Sequence, residues 1–283
     1  MQERIVVGWD GSPAAAAALE WAVTRHARSG GDLLLVRALP ESTGKDRRLE
    51  DEDDLDRSRR ELEEAAEELR RARPVGPVYA ESPFGEPADV LLPFAAPDTV
   101  LVVGGARRGG SRRQGWSVGA RLASRAGGPV VIVPADGGAG RSGVVAGVDG
   151  STLAQQALLF AAEEAQSGGD ELHVVHAWLE PSEIGDELAS DPGFSDWVEG
   201  SHASVLEEVV SPIRAQFPEL TVRAHLEHGP VAPTILGHSA SARLTVVGSR
   251  HRDAVRRFLL GSVSHALVLH ATGPLAVVGA LDE

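Results

Sequence analysis

The 283-residue chain contains no cysteine, which excludes disulfides, thiolate nucleophiles and cysteine-based metal sites. Lysine occurs once, at Lys45 in an acidic segment, so there is no Walker A lysine and no Schiff-base lysine in a pocket-like context. No apolar run approaches the ~20 residues a membrane helix needs. The N-terminal MQERIVVGWD lacks the long apolar region of a signal peptide and already reads as a strand. A cytoplasmic protein without membrane association is expected. A net charge of −14 argues against nucleic acid or an anionic membrane as a partner.

What is present is a repeat. RIVVGWDGSPAAAAALEWAVTRHA, from Arg4, matches GVVAGVDGSTLAQQALLFAAEEA, from Gly143, with Asp10 aligned to Asp149 at an offset of 139. Val102-Val103-Gly104 aligns with Val246-Val247-Gly248 at 144, and Ser117-Val118 with Ser262-Val263 at 145. A period this long is a duplicated domain, not a solenoid. The expected boundaries are 1–136 and 142–283, joined by GGAGRSG, a short flexible linker. A hydrophobic fraction of 42% suffices for two cores.

Each repeat alternates short apolar strands with longer helical patterns. In the first, strands are expected at Ile5–Val7, Leu33–Ala38, Val75–Glu81, Thr99–Val103 and Val130–Val133, with helices at Pro13–Arg28, Leu49–Arg73, Pro87–Ala95 and Ser117–Arg125. The second repeats the order, with strands at Val144–Val148, Leu172–Ala177, Leu220–Leu226, Leu244–Val247 and Leu275–Val278. Continuous apolar strands separated by helices imply a parallel α/β sheet covered on both faces, doubly wound through right-handed crossovers. The last strands of the two repeats are candidates to pair, within the chain as a pseudo-dimer or between copies as a homodimer.

The stretch TVVGSRHRDAVRRFLLGSV, from Thr245 to Val263, reads as strand, basic loop and helix start. Residues 141–283 hold 8 Arg or Lys against 19 Asp or Glu, and five of those 8 bases lie between Arg243 and Arg257. A basic loop in an acidic half marks a local anion site. A helix start adds unpaired N–H groups and partial positive charge. Gly261 allows close approach, and Ser262 can cap the helix or donate to a phosphate.

These motifs, VVGWDGS and VAGVDGS, with a strand-ending glycine and a later Gly-Ser-Val, resemble the universal stress protein family in its tandem form, over nearly the whole chain. The resemblance implies two tandem doubly wound five-stranded parallel-sheet domains of the adenine nucleotide alpha hydrolase-like type, strand order 3-2-1-4-5. It implies ATP binding through Gly-x2-Gly-x9-Gly-(Ser/Thr). In the second repeat the matching positions are Val148, Asp149, Ala177, Val247, Gly248, Arg250, His251, Gly261, Ser262 and Val263. Ala177 follows the second strand and presents its backbone to adenine. His251 replaces the middle glycine of the motif, where an imidazole either crowds or contacts the phosphates. In the first repeat they are Asp10, Ala38, Gly104, Arg107, Ser117 and Val118, with Trp116 in place of the last glycine. The second repeat is therefore the expected main site. Mg2+ would be held by phosphates and water, with no protein metal ligands. No catalytic residue is assigned, and any ATP hydrolysis is expected to be slow. The function implied is a regulatory stress-response factor, the alternative a nucleotide-independent dimerisation or partner-binding scaffold.

Other residues read as structural. Asp10 and Asp149 also suit strand-to-helix turns, and Ser12 and Ser151 suit helix N-caps. His173 and His176 are expected on one face of a strand, opposite Val174 and Val175, as a partly exposed surface. His225 and His228 have no matched ligand partners in the sequence, and zinc needs several.

Overall fold

The structure, a computed structural model, describes residues 4–41, 49–72, 76–105, 117–179, 192–249 and 260–279. They fall into two compact units: 4–139 with 260 and 276–279, and 140–249 with 261–275.

In the first unit, strands β1 (Arg4–Gly8), β2 (Asp32–Val36), β3 (Val78–Glu81), β4 (Thr99–Gly104) and β5 (Pro129–Val133) alternate with helices α1 (Pro13–Ser29), α2 (Leu49–Ala72), α3 (Pro87–Leu91) and α4 (Val118–Ala123). The spatial order is β3-β2-β1-β4-β5, all parallel. Ile5, Val6, Val7, Leu35, Val100, Leu101 and Val102 are fully buried, as strands covered on both faces require.

The third strand starts at Val78 rather than Val75, because Gly76 and Pro77 come first. The third helix ends at Leu91 and tightens into a 3-10 turn, Leu92–Phe94. Pro93 has no N–H for an α-helical bond.

The second unit runs β6 (Val144–Gly147), α5 (Thr152–Gly168), β7 (Leu172–Trp178), α6 (Pro192–Gln216), β8 (Val222–His228), α7 (Val231–His238), β9 (Leu244–Gly248) and α8 (Ser262–His270), and ends at Leu275, the first residue of β10 (Leu275–Val278). Its order β8-β7-β6-β9 repeats the 3-2-1-4 arrangement with parallel pairing. A turn closed by Leu220 N–H on Phe217 O delays β8 to Val222.

Helices α1 and α5 start on the caps the sequence predicts. Ser12 Oγ accepts from Ala15 N–H at 3.1 Å, and Ser151 Oγ from Ala154 N–H at 3.2 Å. Among the described residues no helix is long and apolar enough to cross a membrane.

Candidate functional site

Strand order reverses between β6 and β9: the chain steps outward from β6 through β7 to β8, then returns to the other side. Such a switch point opens a crevice beyond the carboxyl ends of the strands. Gly147 is in register with Val175 on one side and Val247 on the other, so Val148, Asp149, Ala177 and Gly248 all lie beyond or at this rim. In the first unit Gly8 is in register with Val36 and Val103, which puts Asp10, Ala38 and Gly104 at the equivalent rim.

Ala177 is not past its strand: β7 extends to Trp178, and Ala177 is buried within it. Its backbone nevertheless faces the crevice. Val148 N–H donates to Val175 O, whereas Trp178 O accepts from Gly229 N–H on the β8 side. Backbone groups alternate along a strand, so those of Ala177 point to the β6 side, where β6 has already ended. Trp9 N–H to Val36 O and Arg37 N–H to Glu81 O give Ala38 the same aspect in the first unit.

Asp10 and Asp149 are exposed, and each accepts from a serine amide two residues on. Asp10 Oδ1 takes Ser12 N–H at 2.9 Å, and Asp149 Oδ1 takes Ser151 N–H at 3.1 Å. Between them Gly11 and Gly150 have φ of 76° and 79°, a left-handed conformation that glycine adopts without strain. The D-G-S motif thus builds the turn, and one carboxylate oxygen of each aspartate serves it.

The glycine ending β4 and β9 also has a packing cause. A Cβ on Gly104 would sit 2.7 Å from Ala14 C and 2.9 Å from Ala15 N; on Gly248 the nearest atom is Leu153 O at 3.2 Å. Either glycine lets the strand end approach the first turn of α1 or α5. Ser264, which the sequence reading did not single out, ties the second junction together. It is buried, and its hydroxyl donates to Gly248 O at 3.0 Å. Its counterpart Gly119 instead lies where a Cβ would meet Ile132 at 2.9 Å.

The two helix starts differ. Ser117 is the N-cap of α4 and its Oγ accepts from Ala120 N–H at 3.2 Å, with Val118 the first helical residue. Helix α8 begins one position earlier in the repeat. Gly261 is its N-cap, no side chain caps it among the described residues, and Ser262 stands exposed at the first helical position, followed by Val263. Ser262 is therefore not the cap, in contrast to one of the two roles open to it. The first-turn amides of α8 keep the anion-accepting character of an open helix start, which Ser117 has partly taken up in α4.

Not all of the basic run belongs here. Arg243 precedes β9, at the opposite end of the strand from Gly248. Its Nε donates to Asp170 Oδ2 at 2.6 Å, and its Nη2 donates to Glu164 O at 3.0 Å. Arg243 thus ties the start of β9 to the end of α5. Arg107, Trp116, Arg250 and His251 lie outside the described residues. A surface depression of about 690 Å3 along α2, lined by Arg60, Glu63, Glu64, Glu67, Glu68 and Arg71, lies on a charged helix face in which Glu67 pairs with Arg71.

The histidines of β7 are corrected by the structure. A spacing of three in a strand of period two puts His173 and His176 on opposite faces. His176 is buried, with Nδ1 2.9 Å from Val148 O and Nε2 2.9 Å from His202 Nδ1. Only a protonated Nδ1 can donate to the carbonyl, which leaves Nε2 to accept from His202 Nδ1–H. His202 stacks on Trp178 with ring centroids 4.9 Å apart. Burial, then the neighbouring His176, pushes its pKa down. This relay supports the backbone of Val148 from beneath the crevice. On the other face His173 meets His225, with Nδ1 and Nε2 3.0 Å apart. His225 therefore has partners that only the fold supplies.

Comparison with known proteins agrees with this architecture. The universal stress protein family is matched at residues 1–134 and again at 142–279. A universal stress protein of Mycobacterium tuberculosis is 30% identical over 289 residues, 95% of this chain and 94% of its own length. A second from the same organism is 28% identical over 293 residues, 96% and 95% of the two chains. The crystal structure of a universal stress protein from Archaeoglobus fulgidus superposes with a TM-score of 0.70 at 21% identity, covering 99% of this chain and 97% of that one. The chain belongs to the universal stress protein family, in which it is a tandem member with two family domains.

Proposed function

We propose that the protein binds ATP, chiefly in the second unit, and acts in the cytoplasm as a regulatory stress-response factor rather than as a rapid ATPase. The observation that carries this reading is the start of α8, where no side chain among the described residues caps the helix and which Ser264 ties to the end of β9. Phosphates would lie against the amides of Ser262 and Val263 and the Ser262 hydroxyl, with Gly248 and Gly261 permitting approach. Arg250 and His251 would supply cationic contacts. Adenine would meet the backbone of Ala177, with Val148, Asp149 and Val247 around the base and ribose. Mg2+ would be carried by the phosphates and water.

The first unit is the weaker site in this reading. Asp10, Ala38, Gly104, Arg107 and Val118 would line it, but the Ser117 oxygen already accepts from its own helix. One observation favours a nucleotide-independent scaffold: packing against α1 and α5 accounts for Gly104 and Gly248 without any ligand. Pairing of the two last strands, within a chain or between copies, is the assembly that accompanies either reading. It predicts altered association in a Val131→Lys, Val277→Lys variant.

The direct test is to denature freshly purified protein and count the adenine nucleotides released. About one per chain is expected. An empty protein with no thermal shift in millimolar Mg-ATP would favour the scaffold.

A further inference from the structure

Strand β8 carries His225 and Glu227 two residues apart, hence on one face. Its register with β7, Val175 to His225 and Ala177 to Glu227, puts His173 on that face as well. Helix α7 delivers a fourth group from its last residue. His238 Nε2 lies 3.2 Å from Glu227 Oε1, and its ring centroid is 4.7 Å from that of His225. One ligand atom from each of His225, Glu227 and His238 lies within 4.8 Å of the other two, and all three residues are half-buried. The group is thus reachable from solvent yet held by a strand and a helix.

We propose that His225, Glu227 and His238 form a binding site for a divalent transition-metal ion of the zinc type. Zn–N bonds of about 2.1 Å in a tetrahedron put ligand atoms about 3.4 Å apart. The Glu227–His238 pair is already at that spacing, and His225 needs only a side-chain adjustment. Two imidazoles and one carboxylate suit a zinc-like ion, whereas calcium and magnesium prefer all-oxygen sets and copper(I) prefers sulfur. Three protein ligands leave one position for water.

The surroundings fit a metal's outer shell. If His225 coordinates through Nδ1, its Nε2–H donates to His173 Nδ1, and His173 Nε2–H then faces Glu171, whose Oε2 is 3.8 Å away. Glu171 is fixed in turn by Arg223, at 2.7 Å and 2.9 Å. Outer partners of this kind set ligand orientation and tautomer. Glu227 is in register with Ala177, but the site uses no nucleotide and stands or falls separately from ATP binding.

The test uses the full chain, stripped with a chelator and free of nucleotide, and titrated with ZnCl2 in competition with a chromophoric chelator. One zinc per chain is expected. His238→Ala and Glu227→Gln should each weaken it at least tenfold, and His173→Ala about ten- to a hundredfold, as for outer-shell losses. His202→Ala, in the other histidine cluster, should leave it unchanged. Circular dichroism of the stripped variants separates lost binding from lost folding. X-ray absorption should show imidazole nitrogens in the first shell. No stoichiometric zinc on the wild type, or undiminished zinc on a folded His225→Ala, His238→Ala variant, would overturn the proposal.

Discussion

Single residues in this protein are constrained by neighbours that their own sequence context does not reveal. His26 is buried to 1% exposure, and neither ring nitrogen has a hydrogen-bond partner among the described residues. Burial, then Arg25, lowers its pKa against a smaller opposing pull from Asp32. His202 and His225 are lowered as well, again chiefly by burial. In the unfolded chain each takes its proton near pH 6.5, but in the folded chain only at lower pH. As pH falls through that value the unfolded state binds more protons, so stability falls on the acid side and these residues add no slope above about pH 7.5. Urea unfolding at pH 7.5 and 5.5 should show that loss, and His26→Leu should reduce it. At pH 7.5 the same variant should gain about 1 kcal/mol by removing unpaired buried polar atoms. Gly104 offers a second residue-level test. Gly104→Ala should cost about 1–3 kcal/mol from overpacking, and Gly248→Ala less, because its added Cβ has 3.2 Å of room where that of Gly104 has 2.7 Å.

At the scale of elements, the repeated strand–turn–helix units are where sequence and structure agree most closely. The D-G-S turns, the serine caps of α1 and α5 and the apolar strands appear where periodicity and turn chemistry place them, because each depends on residues within a few positions. The disagreements arise where partners are distant. His173 and His176 part to opposite faces by strand geometry, and the partners of each come from elsewhere in the fold. Arg243 looks like part of the basic loop but is taken by Asp170 and Glu164 at the far end of β9. Ser117 and Ser262 look equivalent in the repeat, yet α8 starts one position earlier than α4 and leaves Ser262 exposed. This difference gives a prediction for each helix. Ser117→Ala should cost about 1 kcal/mol in urea unfolding, as loss of a cap does. Ser262→Ala should leave stability nearly unchanged and weaken ATP binding instead.

For the whole molecule, duplication has kept the scaffold and let the two crevices diverge. Both units retain the rim built from a D-G-S turn, a strand-ending glycine and a crevice-facing alanine backbone. Among the described residues, only the second combines that rim with a helix start free of side-chain capping and a hydroxyl strut from Ser264 to Gly248. The family and fold were legible in the sequence because they rest on repeated apolar strands and turn motifs. The asymmetry was half-legible, through Trp116 against Gly261; the helix offset and Ser264 needed the fold. A ligand held by the second unit should stabilise it by mass action, about 2.7 kcal/mol at a hundredfold excess over Kd. The most direct measurement of the central claim is calorimetric titration of the nucleotide-free protein with Mg-ATP, beside Gly261→Trp. About one site per wild-type chain is expected, lost in the folded variant. Binding that survives Gly261→Trp undiminished, or a wild type with no binding, would contradict it.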